Sequence, residues 1–224
     1  MRSRRVRQVA TIAAGYLLGA AALYGGLPGE IPPSWRVSDL DVVWLGGPMA
    51  AFLLPTASAT TAALLRGLCA RSAVGTANAD EAVAMCDAIT LRVSVFLLGL
   101  HATVLVALLG WLAGRGWSVQ VVPVMLGLTM ISIGNLLPRT RPNPAIGIRT
   151  ARTLADRTCW MRTHRLAGYI VAGSGGIVVV AALTAPAPFG ARMILAVGPL
   201  AAAGIAVLTA REARRARRSL APTS

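Results

Sequence analysis

Residues 134–168 read GNLLPRTRPNPAIGIRTARTLADRTCWMRTHRLAG. Seven arginines stand in this stretch against one acid, Asp156, and prolines 138, 142 and 144 keep its first part out of a regular helix. Long apolar runs flank it on both sides. A cationic, proline-broken segment between two such runs is the pattern of a loop at a membrane surface, and this reading decides the fold.

Outward from the loop, the apolar residues of the 224-residue chain, 55 % of the whole, gather into blocks rather than spreading as in a soluble core. Each block is about 18 to 22 residues long, enough for a helix to cross hydrocarbon. The spans read as 9–27, 44–65, 92–112, 119–137, 167–185 and 191–210. The first follows the basic start MRSRRVRQ but is long and lacks a clean A-x-A-type cleavage site, so it reads as a retained helix. The expected fold is therefore an all-α polytopic bundle of six transmembrane helices.

All 22 basic residues are arginine. The N-terminus, the 66–92 and 138–165 loops and the tail hold 19 of them, and the opposite side holds Arg36, Arg115 and Arg192. The positive-inside rule then places both termini in the cytoplasm. The organisation expected is an N-terminal membrane half, 1–112, with an extracytoplasmic loop at 28–43. A second half, 113–210, carries the cytoplasmic loop 134–168, and a basic tail, 211–224, lies on anionic headgroups. Cys69, Cys86 and Cys159 form no CxxC pair and fall on the cytoplasmic side, where thiols stay reduced, so no disulfide and no zinc site are expected.

Within the spans, Gly15 and Gly19 form a GxxxG that suits close helix approach, and Gly173, Ser174, Gly175 and Gly176 cluster in the fifth span. Asn78 suits an N-cap, with Asp80 and Glu81 in a first turn, so the third helix should begin in the cytoplasm. His101 is an ionisable group at mid-membrane, a functional candidate by default. With no acid inside any span to partner it, a neutral imidazole hydrogen-bonded to a neighbouring helix is the simpler reading. Outside, Glu30, Asp39 and Asp41 with Trp35 could meet a cationic ligand or form a solvated connector. There is no GxSxG, HExxH or phosphate-binding P-loop, and no clustered carboxylates, so neither an enzyme nor a cofactor is expected.

In the opening stretch, charge needs nothing beyond positive-inside orientation and attraction to anionic lipids. The uncharged scaffold asks for more. Gly147 before Ile148 and Arg149 suggests a tight turn that aims a guanidinium. Thr153 with Asp156 resembles a capping box opening a short helix from about Leu154, which would put Trp160 and His164 one turn apart on one face.

Gly134, Asn135, Leu137, Pro138, Pro142, Asn143, Gly147, Ile148, Arg149, Thr150, Trp160, His164, Arg165 and Gly168 together resemble the signature of the SdpI family of bacterial membrane proteins. LPGEIPPSW, residues 27–35, is similar to the domain that often precedes it, with Ser34 where that pattern has histidine. The resemblance implies a helical protein of the bacterial inner membrane. The family's best-known member gives immunity to a secreted peptide toxin and, when toxin is present, holds a soluble repressor at the membrane. Applied to this chain, Glu30, Trp35, Asp39 and Asp41 would contact a peptide outside. Asn135, Pro138, Arg139, Asn143, Gly147, Arg149, Thr150, Trp160, His164 and Arg165 would form an inner surface for a partner or lipid, with no direct nucleic-acid contact. The alternative is a transporter or a lipid-headgroup-handling protein that uses the arginine loop, chiefly Arg149 and Arg165, to grip phosphate.

Overall fold

The computed structural model describes residues 2–27, 47–73, 78–109, 117–143, 146–185 and 196–211. Its elements are α1 (Arg2–Tyr24), α2 (Pro48–Ala73), α3 (Ala79–Leu108), α4 (Trp117–Gly134), a 3-10 turn (Leu137–Arg139), α5 (Ala151–Ala155) and α6 (Arg157–Thr184). A shorter apolar helix, α7 (Ala196–Arg211), follows. The described residues contain no strand. Five helices, α1 to α4 and α6, are long and apolar enough to cross a membrane. The sixth expected span corresponds to α7, and residues 186–195 before it lie outside the described residues, as do the loop 28–43 and residues 212–224 of the tail.

The packing is that of a membrane bundle. Its buried positions are small: Ala51, Ala62, Ala82, Ala88, Ala167 and Ala182 are all inside. Large side chains point outward, Leu17 being 71 % exposed and Leu64, Leu68, Ile177, Val180 and Leu183 similarly turned away from the protein. In hydrocarbon there is no hydrophobic gain from burying leucine, so helices associate by bringing backbones close. α1, α2 and α3 all pack on one another, α4 packs on α6, and α3 joins α4.

Glycine sets how close these pairs come. A Cβ on Gly127 would lie 2.6 Å from the Gly175 carbonyl oxygen, and one on Gly175 would lie 2.5 Å from that of Gly127. One heptad along, Gly134 and Gly168 stand in the same relation, at 2.8 and 2.7 Å. The α4–α6 seam is thus two glycine pairs in antiparallel register. Gly19 does the same for α1, where a Cβ would overlap the Ala51 carbonyl oxygen of α2. Gly15 faces Pro55. The expected packing role of Gly15/Gly19 holds, whereas in the later cluster only Gly175 carries it, since Gly173 and Gly176 have nothing within 4 Å.

The cysteines correct one expectation. Cys69 near the end of α2 and Cys86 near the start of α3 are joined by a disulfide, with Cα atoms 6.6 Å apart. The two helices pack on each other, which brings together positions that sequence spacing alone leaves unrelated. Cys159 is a buried thiol.

The seam predicts that Gly127→Leu destabilises the protein by about 1–3 kcal/mol, the usual cost of overpacking. Thermal unfolding in detergent should show a lowered midpoint for this variant and none for Gly173→Ala, which faces open space.

Candidate functional site at the arginine-rich end

α3 begins where the sequence suggests, at Ala79 after Asn78, but Asn78 does not cap it with its side chain. Its Nδ2 donates instead to the Pro142 carbonyl at 3.1 Å. A second bridge follows, Arg141 to Glu81 at 2.9 Å. Through these two contacts the proline-rich segment is tied to the first turn of α3.

Beyond Pro142 the chain is built around two side chains of α6. Trp160 and His164 are both fully buried, stacked with ring centroids 3.9 Å apart. The helical spacing i, i+4 puts them on one face, as expected. Trp160 Nε1–H donates to the Thr140 carbonyl at 3.0 Å and to Thr140 Oγ1 at 3.1 Å. The Ile148 N–H donates to His164 Nε2 at 3.0 Å, and His164 Nδ1–H donates to the Trp160 carbonyl at 2.9 Å. These partners assign a neutral imidazole with its proton on Nδ1.

Gly147 makes this possible. Its φ is +116°, a region that L side chains rarely adopt. A Cβ there would overlap His164 Nε2 and approach Trp160 Cη2 to 3.1 Å. The tight turn read from the sequence is therefore present, and its function is to let the backbone rest on the imidazole.

The helix start is displaced from the expected pattern. The N-cap of α5 is Thr150, with Thr153 at N3, and Thr153 is not itself the cap. Thr153 N–H donates to Thr150 Oγ1 at 3.1 Å, Thr150 N–H donates to Thr153 Oγ1 at 2.8 Å, and Thr153 Oγ1–H reaches the Ile148 carbonyl at 2.8 Å. Asp156 caps the next helix, accepting from Thr158 N–H at 2.8 Å. A hydroxyl takes the usual place of glutamate in the box, and the acid three residues on belongs to the cap of the following helix.

The other signature residues have separate places. Asn143 is buried and turns its own loop, Nδ2 donating to the Arg141 carbonyl at 2.7 Å and Oδ1 accepting from Ile146 N–H at 2.8 Å. Pro138 packs on Gly168, whose added Cβ would lie 3.0 Å from its Cδ. Asn135, Arg139 and Arg149 are exposed, and Arg165 is exposed with Nε–H donating to Tyr169 Oη at 3.2 Å. Trp160 and His164 thus hold the loop from inside and are not part of an accessible surface.

Residues 139–210 match the model of the SdpI/YfhL protein family. Over this region the chain is similar to the SdpI/YfhL protein family. No curated protein and no solved structure matches the chain. The match to the SdpI/YfhL model begins at Arg139, the last residue of the 3-10 turn, and takes in the whole Trp160/His164 lock, α6 and most of α7.

A second polar cluster, which sequence reasoning missed, ties α1, α2 and α3 together. The Asp87 carboxylate is fully buried, accepting from Arg5 Nε at 3.0 Å and Arg66 Nε at 3.2 Å. Arg66 also donates to Gln8 Oε1, and buried Gln8 reaches Ser94 Oγ at 3.2 Å. Further in, His101 Nε2–H donates to the Gly15 carbonyl at 3.2 Å, joining α3 to α1. Its Nδ1 and Ser58 Oγ have no hydrogen-bond partner among the described residues. Both residues line a cavity of about 10 Å³, the scale of one water. Glu30, Trp35, Asp39 and Asp41 lie outside the described residues.

Two outcomes follow. Gly147→Ala should destabilise the protein by about 1–3 kcal/mol through backbone strain and overlap with His164, read as a lower melting midpoint. An unchanged midpoint would mean that the loop does not depend on this contact. Asp87→Asn should cost about 1.5–3 kcal/mol, the scale of hydrogen bonds to charged groups, seen as a loss of stability to chemical denaturant.

Proposed function

We propose that this SdpI-type protein is a non-enzymatic component of the bacterial inner membrane that protects the cell from a secreted, membrane-active peptide. In this reading it has six spans, both termini lie in the cytoplasm and the arginine-rich end faces inward, as the arginine bias favours. The loop 28–43, with Glu30, Trp35, Asp39 and Asp41, meets a cationic or amphipathic peptide outside. Arg149, exposed beside the locked turn, is the contact for a cytoplasmic repressor held at the membrane when the peptide is present.

The observation that best supports the reading is the bracing between the two halves. Asn78 and Glu81 of α3 grip the segment around Pro142, so a shift of α3 relative to α6 would be felt by the turn that carries Arg149. Allosteric signalling requires such an element shared by two sites.

Expression of the protein in a sensitive strain should raise the peptide concentration needed to kill it. Arg149→Ala should abolish repressor capture, scored by fractionating the repressor between membrane and cytosol, while the protein remains at normal level in the membrane. Unchanged capture would rule out the inner-loop role, and unchanged sensitivity on expressing the wild type would rule out protection.

A further inference from the structure

A cavity of about 250 Å³ opens where α1, α3 and the 3-10 turn converge. Arg4, Arg139 and Arg141 line it, together with Asn78, Glu81 and Thr140. Three guanidinium groups therefore face one carboxylate, and that carboxylate is already taken: Glu81 is paired with Arg141 at 2.9 Å. Asp80, in the same helical turn, does not line the cavity.

The remaining cations have only neutral partners. Arg4 donates to the Ala84 carbonyl at 2.9 Å. The Arg139 backbone N–H donates to the Leu136 carbonyl at 2.9 Å, but its guanidinium has no hydrogen-bond or ion-pair partner among the described residues. Arg92, deeper in α3, donates to Ser132 Oγ at 2.7 Å and the Ala88 carbonyl at 2.8 Å. Three arginines are gathered here against a single acid, Glu81, an arrangement that a further anion would stabilise.

Asn78 and Thr140 are committed to the Pro142 carbonyl and to Trp160, so the arginines are left to do the recognition. Guanidinium forks match phosphate oxygens in geometry and charge. The cavity has room for a phosphate group and a few further heavy atoms. It opens at the arginine-rich end of the apolar helices, the level at which lipid headgroups lie.

We propose that this cavity is a phosphate-binding site, with Arg4 and Arg139 gripping the anion, its source being an anionic phospholipid headgroup or free phosphate. The site is independent of the protection role and differs from a headgroup site at Arg149 and Arg165.

The full-length protein is reconstituted in phosphatidylcholine alone or with phosphatidylglycerol, and retained lipid is read by native mass spectrometry. The wild type should keep phosphatidylglycerol, and Arg4→Gln/Arg139→Gln should keep at least about tenfold less, as expected for losing charged hydrogen bonds. The single variant Arg139→Gln, which removes no described side-chain hydrogen bond or ion pair, should shift in the same direction and so separates binding from folding. Arg165→Gln should match the wild type. In phosphatidylcholine alone, inorganic phosphate is titrated against melting temperature. Saturable stabilisation lost in the double variant, without lipid retention, assigns the site to free phosphate. Equal retention in wild type and double variant, equal loss in Arg165→Gln, or neither retention nor stabilisation in the wild type would overturn the proposal.

Discussion

The arginine-rich end depends on one hydrogen bond, the Ile148 N–H given to His164 Nε2. A buried imidazole with both nitrogens occupied is rigid and costs little to keep neutral. Because Nδ1–H is spent on the Trp160 carbonyl, Nε2 can only accept, and the backbone must bring it a donor. That is feasible only where the preceding residue has no Cβ, hence Gly147. The indole stacked beside it does the equivalent for the start of the loop by donating to Thr140. Two adjacent side chains of α6 thus pin both arms of a proline-rich segment that has almost no regular structure of its own.

The rest of the bundle makes that pinning possible by holding α6 close to α4. Glycine pairs 127/175 and 134/168 let the two backbones touch, and the second pair lies directly below the 3-10 turn, where Pro138 rests on Gly168. Helix contact and loop geometry are therefore one problem. Moving α6 outward by the width of a methyl group would also move the imidazole that receives the loop.

Much of this was legible in the sequence because it rests on local periodicity. Apolar block length gave the helices, and the i, i+4 spacing gave the Trp160/His164 pair. Gly147 was recognisable as a turn by residue type. What escaped depends on contacts distant along the chain. Arg5 and Asp87 are 82 residues apart, Gln8 and Ser94 are 86 apart, and the partners of Cys69 and Asn78 lie on other elements. Thr150 is hard to read as a cap because Thr153 with Asp156 offers a more familiar pattern, although the hydroxyl at Thr153 completes the box equally well.

One signal for the missed cluster was nonetheless present. Asp87, Thr90, Ser94 and His101 all lie inside α3 and all are buried, at spacings close to whole helical turns. In an otherwise apolar membrane helix, a polar stripe identifies the face turned to protein rather than lipid, since a polar group facing hydrocarbon has no partner. The stripe predicts that α3 is central, and it is: α1, α2 and α4 all pack on it, and its first turn grips the Pro142 segment. The same helix therefore organises the interior of one half through Asp87 and braces the locked turn of the other through Asn78 and Glu81. A displacement of α3 cannot leave either end unchanged.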